Sequence, residues 1–417
     1  MNYSKKGWVS DYLAIREREF SEEILNEKFK KGLHPDQTLY SLIQPTGIMY
    51  GYPLKNLAGT ENIDSDSKVR LLLIDTLLES YVLFRNRDLK NNIPFNTILT
   101  EGIIQVGLFY NAVYPELYTN VKTLFGQKIE PAVIVERILE KRIDLGSKNN
   151  FWSGFFHNSL LFLDIYFFRQ WIHTPNTKII VDYLKSQRDD IRSNVIKVMS
   201  AAAYANHNIE PEERRLFEYF INSLKLPSEK KKEAKDFFEK GYSINELTIP
   251  QDESWILRKY FLELSILTAW ADRRVESIEI EFLEILNSRL GFNPEDLESS
   301  MIAVEGFVLN YWDEMDELQS KKEYEEVSHH YIERLERIVS KNRDRLYQEV
   351  YDRGSLLKLI KKAKTSEVTE KEMNFIKDQL IDSFESLPAF EIVALPRNFL
   401  TFDVLMEILP DDFFKGM

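Results

Sequence analysis

Four polar residues in two short loops have the types, though not the spacing, to hold a cation: Asn206 and Glu210 in one, Asp272 and Glu276 in the other. A calcium loop needs oxygen ligands at alternate positions, a Gly at the sharp turn and a Glu at the twelfth place. Counted from Asn206, the sixth position is Pro211 and the twelfth Phe217; counted from Asp272, two arginines intervene and the twelfth is Leu283. These acids therefore read as helix caps, with Asp272, Glu276, Asn206 and Glu210 kept as weak ion-site candidates. Glu326 and His329 have the spacing of a di-iron half-site, but no second Glu-x-x-His accompanies them, so His329 and His330 read as surface residues. Lys358, Lys361 and Lys362 share one helix face and are candidates for contact with a partner or with phosphate; the alternative is that they offset a helix dipole. No His-Glu-x-x-His, phosphate-cradling Gly-rich loop or Gly-x-Ser-x-Gly elbow occurs. No enzyme, metal centre or cofactor is expected from this inventory.

The elements around these residues read as helices. In 417 residues there are 15 Gly and 14 Pro, too few turn formers for a many-stranded sandwich. Ala203-Tyr204-Ala205-Asn206 aligns with Ala269-Trp270-Ala271-Asp272, an offset of 269 − 203 = 66. At the same offset Glu213 falls on Glu279, Leu216 on Phe282, Phe217 on Leu283, Phe220 on Leu286, Leu224 on Leu290 and Leu226 on Phe292. Each copy predicts a helix, a short polar loop and a second helix with apolar residues at spacings of three and four. Earlier in the chain, Val69 to Phe84 and Thr97 to Tyr110 predict helices, and the apolar run Phe151 to Phe168 reads as a core helix because His157, Asn158 and Asp164 interrupt it.

Residues 310–353 run from acids to bases, with Tyr331, Leu335, Ile338 and Leu346 at helical spacing, which predicts one long charged helix. Beyond Gly354, a helix through Lys362, a turn and a capping box at Thr369 and Glu372 predict a hairpin whose second helix carries Phe375, Ile376, Leu380 and Phe384 and ends before Pro388. The apolar residues from Phe399 to Phe414 are interspersed with Asp403, Glu407, Asp411 and Asp412; core packing or a protein partner suits them better than a bilayer surface.

The expected fold is thus all-α: a multi-helix array with an N-terminal helical region (1–185), two tandem units (186–250 and 251–309), a charged helix (310–353) and a C-terminal hairpin domain (354–417). With 67 acids against 54 bases the formal charge is −13, which opposes nonspecific binding to DNA. Without Cys, disulfides and thiolate metal sites are excluded. The first residues lack the apolar stretch of a secretory signal, and no run is apolar enough to span a bilayer. The expected location is the cytoplasm, with peripheral contact at the inner face of the membrane kept open.

Two resemblances add to this reading. The doubled unit, with its Ala-x-Ala-Asp-x-x-Val-x-x-x-Glu pattern from Ala269 to Glu279, resembles the tellurite-resistance B-like family over about residues 190 to 300. The segment Thr369-x-x-Glu372-x-x-Phe375-Ile376-Lys377-x-Gln379-Leu380, with Leu387-Pro388, Leu395-Pro396 and Leu409-Pro410, is similar to the soluble domain of the mitochondrial leucine-zipper/EF-hand cation-proton exchangers. That second resemblance implies ribosome binding and a link to cation exchange; bacterial relatives that pair both segments are described as biofilm-associated proteins. The expected function is a non-enzymatic helical scaffold or regulatory adaptor whose partner is a protein or the ribosome. The alternatives are a membrane-peripheral accessory to cation homeostasis that binds divalent ions, and an enzyme with its site in the N-terminal region.

Overall fold

The computed structural model describes residues 5–25, 34–50, 63–85, 93–118, 129–143, 160–174, 178–205, 214, 217–218, 221, 228–241, 243–247, 254–269, 277–312 and 321–410. Seventeen α-helices and no strand occur among them, so the chain is an all-α, multi-helix protein. None of these helices is long and apolar enough to cross a membrane. The chain divides into two compact units, residues 1–200 with 214–241, and residues 201–213 with 242–417.

The first unit contains α1 (Trp8–Leu25), α2 (Pro35–Ile43), α3 (Ser65–Phe84), α4 (Phe95–Val113), α5 (Pro115–Tyr118), α6 (Pro131–Arg142), α7 (Leu161–His173), most of α8 (Lys178–Ala203) and α9 (Ser228–Lys240). Helix α3 lies against α4 and α7, and α4 against α6. The approach of α4 to α3 depends on Gly102, where an added Cβ would meet the Leu78 methyl at 2.9 Å and the Tyr81 ring at 3.1 Å. Helix α7 realises the apolar run predicted up to Phe168, with Leu161 to Phe168 all buried; residues 151–159 lie outside the described residues.

Charged groups also enter this core. From α1, Arg16 donates through Nε to Asp75 at 2.6 Å and through Nη2 to Glu79 at 2.9 Å, all three buried, and the Tyr12 hydroxyl bonds to Asp75 as well. Burial, reinforced by the Asp75 charge, pushes the Tyr12 phenol well above its ordinary pKa, so it stays a donor. The buried Glu136 carboxylate of α6 accepts the Gly7 N–H at 2.9 Å and the Val9 N–H at 3.4 Å, satisfying donors at the start of α1.

The second unit is built on α10 (Trp255–Ala269), buried on almost every side. Around it stand α11 (Ser277–Arg289) and α12 (Pro294–Asn310), followed by α13 (Lys321–Lys341), α14 (Arg343–Asp352), α15 (Ser355–Thr365), α16 (Glu370–Glu385) and α17 (Phe402–Ile408). The offset of 66 is kept to the residue: α8 ends at Ala203 and α10 at Ala269. It extends further than the sequence pattern indicates, because α9 starts at Ser228 and α12 at Pro294, and 294 − 228 = 66. Ile191, Val195, Ile196 and Val198 are buried like Leu257, Phe261, Leu262 and Leu264, and Ala234 and Phe238 like Ser300 and Val304.

Residues 321–352 form two helices rather than one, and residues 313–320 lie outside the described residues. The break is at Asn342, whose side-chain Nδ2 donates to the Ile338 carbonyl at 2.9 Å while its own N–H reaches both Ile338 and Val339. A side chain competing for main-chain acceptors ends the helix here without Gly or Pro. Tyr331, Leu335, Ile338 and Leu346 are buried as their spacing predicts.

In the C-terminal hairpin, Ile376, Leu380 and Phe384 face the core, whereas Phe375 is exposed because it sits one residue, about 100°, off that face. Phe399, Leu400, Leu405, Ile408 and Leu409 are buried within this unit; Phe413 and Phe414 lie outside the described residues.

The capping box is present: Glu372 accepts the Thr369 N–H at 2.9 Å, the Thr369 hydroxyl faces the Glu372 N–H, and Lys362 of α15 donates to Glu372 at 2.8 Å. The Lys362 hydrogen bond, followed by that of the Thr369 N–H, holds the Glu372 carboxyl down to about 2. A depressed carboxylate stabilises the fold above its unfolded pKa of about 4.3 and loses that contribution as pH falls through its folded value. Melting curves of the wild type and Glu372→Gln should accordingly differ at neutral pH and converge toward pH 2; a gap unchanged by acid would contradict the role given to this carboxylate.

Candidate protein-docking groove

Local sequence fixes how α11 leads into α12. Gly291, at φ +71°, follows the end of α11; the Phe292 N–H reaches back to the Asn287 carbonyl and the Gly291 N–H to that of Ser288, each at 3.0 Å. This pairing is a Schellman ending, which needs the left-handed conformation that Gly adopts without strain. Asn293 then caps α12, accepting the Asp296 N–H at 2.9 Å while Asp296 accepts the Asn293 N–H at 3.0 Å. Arg258 of α10 reinforces the corner, bonding to the Leu290 carbonyl and lying 5.1 Å from the centre of the Phe292 ring.

The corner opens into a groove of about 760 Å³ between α11, α12 and α13. Ile280, Leu283, Phe292, Leu297 and Met301 supply apolar lining, and Asn287 lies among them. The Asn287 side-chain oxygen is buried and accepts no hydrogen bond among the described residues, although its Nδ2 donates to the Asn293 carbonyl at 2.8 Å. On the α13 side, Arg334 is held by Glu305 through two bonds of 3.1 Å, and Glu298 is approached by Arg337 at 3.8 Å and Lys341 at 3.9 Å. Burial raises the Glu305 carboxyl above its ordinary range despite the opposing Arg334 charge. The opposite rim carries Glu284 and Glu295, exposed and forming no ion pair among the described residues.

Helix α11 also keeps three isoleucines in solvent: Ile280 at the groove, and Ile278 and Ile285, which share the other edge at a spacing of seven. An apolar floor with a soft Met and an acidic rim suits an apolar segment carrying basic residues. Among the described residues, no three His, Asp or Glu side chains gather as metal ligands.

Over 115 residues the chain is 30% identical to the co-chaperone protein DjlA of Aliivibrio fischeri. That match covers 25% of this chain and 40% of the relative, so the chain spans well under half of the curated protein it resembles. No family model matches the chain, and no solved structure matches it.

The residues selected from sequence lie elsewhere. Asn206, Glu210, Asp272 and Glu276 lie outside the described residues. Lys362 is committed to Glu372, while Lys358 and Lys361 are exposed on α15 with no ion pair among the described residues. His329 and His330 are exposed and face Glu333 at 3.2 and 3.9 Å. The groove residues escaped sequence reasoning, although a signal was present: Ser277-Ile278-Glu279-Ile280-Glu281-Phe282 alternates apolar and polar inside a helix. Such a pattern places isoleucines outside the buried face.

Proposed function

We propose that this chain is a non-enzymatic helical adaptor that holds an apolar, basic segment of a protein partner in the groove of α11, α12 and α13. The observation that carries this reading is the half-exposed Ile280 in an apolar groove whose rim acids, Glu284 and Glu295, form no ion pair among the described residues. An apolar lining alone would fit many occupants. The acids select against an acidic segment, because like charges across a rim slow association and weaken the complex. The likeness to a protein named a co-chaperone supports a protein as the occupant.

Immobilised peptide arrays test the proposal directly. Wild-type protein should retain peptides that combine Leu, Ile or Phe with Lys or Arg, and added salt should weaken them. Ile280→Asp and the pair Glu284→Lys with Glu295→Lys should each reduce binding by about tenfold, the scale of a 1.4 kcal/mol loss. Retention of acidic peptides, or an unchanged pattern in both variants, would refute the groove as the docking site.

A further inference from the structure

Three arginines of the first unit gather around one buried ring. The guanidinium carbons of Arg142, Arg188 and Arg192 lie 5.9, 5.2 and 5.9 Å from the centre of the Tyr114 ring, just after α4. Asp164 of α7, fully buried, neutralises Arg142 through bonds of 2.7 and 3.1 Å and accepts the Tyr110 hydroxyl at 2.8 Å. Arg188 donates to the Val113 carbonyl at 2.7 Å, closing the end of α4, and to Asp189 at 3.1 Å. Arg192 reaches that same half-exposed Asp189 at 4.0 Å.

Among the described residues, three cations therefore share two carboxylates, one of them already facing solvent. Arg192 Nε is buried and finds no hydrogen-bond partner among them, and the buried Tyr114 hydroxyl, near Asp164, makes no bond of ordinary length. Most buried polar groups find partners, so an unmet guanidinium donor and a hydroxyl without a close acceptor, beside an excess positive charge, call for an oxyanion. Burial pushes the Arg192 guanidinium pKa down, and the charges of Arg142 and Arg188 add to this against the opposing effects of Tyr114 and Asp164.

We propose that Arg192, Arg188 and the Tyr114 hydroxyl form a site for a small phosphate-type oxyanion, either free phosphate or a phosphate monoester. The planar forks of guanidinium groups match the tetrahedral oxygens of phosphate and bind them in pairs. The three arginine side chains keep between 10 and 15% of their surface exposed, enough for a small ion to reach them and too little for a macromolecular backbone. This site is separate from the docking groove and does not depend on it.

Thermal melting of the full chain in sodium phosphate, against sodium chloride of equal ionic strength and pH, reads the site. Phosphate should raise the melting temperature of the first unit saturably, by about 3 °C at ten times its Kd. A parallel titration with glycerol phosphate shows whether the site takes an ester or the free ion alone. Arg192→Gln should abolish the response and, without phosphate, melt no lower than wild type, because its carboxylate contact, the half-exposed Asp189, is at the long distance of 4.0 Å. Tyr114→Phe, which deletes only the hydroxyl, should weaken the response while keeping the fold. The site is overturned if phosphate acts no differently from chloride, if Arg192→Gln still responds, or if Arg192→Gln melts several degrees lower in chloride, which would make the arginine a structural pair.

Discussion

Arg16→Met should destabilise the first unit by about 3–5 kcal/mol, the range for removing one partner of a buried ion pair. Arg16 stands between Asp75 and Glu79 in the contact of α1 with α3, and all three are nearly inaccessible to water. Its loss removes the cation between these two buried carboxylates, while the Tyr12 hydroxyl still donates to Asp75. The cost comes from stranded charge more than from lost attraction, since a buried pair replaced as a whole is often neutral. Arg16→Met combined with Asp75→Leu and Glu79→Met should consequently recover most of the loss. Urea unfolding with hydrogen exchange along α3 measures both; a triple variant as unstable as the single one would show that these charges do something beyond neutralising each other.

In the second unit the matching experiment is Arg334→Met. Glu305, facing inward from α12, has both carboxylate oxygens engaged by Arg334, and only about 1% of its surface is exposed. Removing Arg334 should cost about 3 kcal/mol or more at neutral pH. The cost should depend on pH in a definite sense. Burial already raises the Glu305 carboxyl, and without Arg334 nothing as close opposes that rise. A carboxyl raised in the folded state contributes stability that is full below its unfolded pKa and lost as pH rises through its folded value. Thus Arg334→Met should lie far below wild type at pH 7 and approach it as pH falls toward about 4.3. A deficit that widens on acidification would exclude the stranded carboxylate as its cause.

Much of the fold is legible in sequence because helices announce themselves locally. Thr369 and Glu372 are three residues apart and need no tertiary information to be read as a cap. The repeat was legible for the same reason where small and apolar positions coincide, from Ala203 and Ala269 onward. Its third helix was not. Lys230, Lys231 and Lys232 of α9 correspond to Asp296, Leu297 and Glu298 of α12, so the similarity survives in position and burial while composition differs. The break at Asn342 was hidden because an Asn can sit within a helix; only its bond to Ile338 shows that it competes with the main chain. Buried ion pairs were invisible for a further reason: Arg16 and Asp75 are 59 residues apart, and nothing local to either indicates the other.

The candidate site was less legible than the fold. Lys362, chosen for its chemistry, is engaged with Glu372, while His329 is the surface residue its sequence context indicates. The groove is made instead of ordinary side chains, and its character comes from which isoleucines the packing leaves uncovered.

The constant offset between the two copies bears on what kinds of change this chain tolerates. Inserting one residue within a helix turns everything beyond it by about 100° and moves it 1.5 Å along the axis. A length change inside α8 or α10 would thus swing the following side chains off the buried face at a stroke, whereas an exchange of side chains at constant length need not. Corresponding stretches of α9 and α12 hold three lysines in one copy and a leucine flanked by two acids in the other, yet begin at matching positions. By this measure the architecture is permissive toward spelling and strict toward counting.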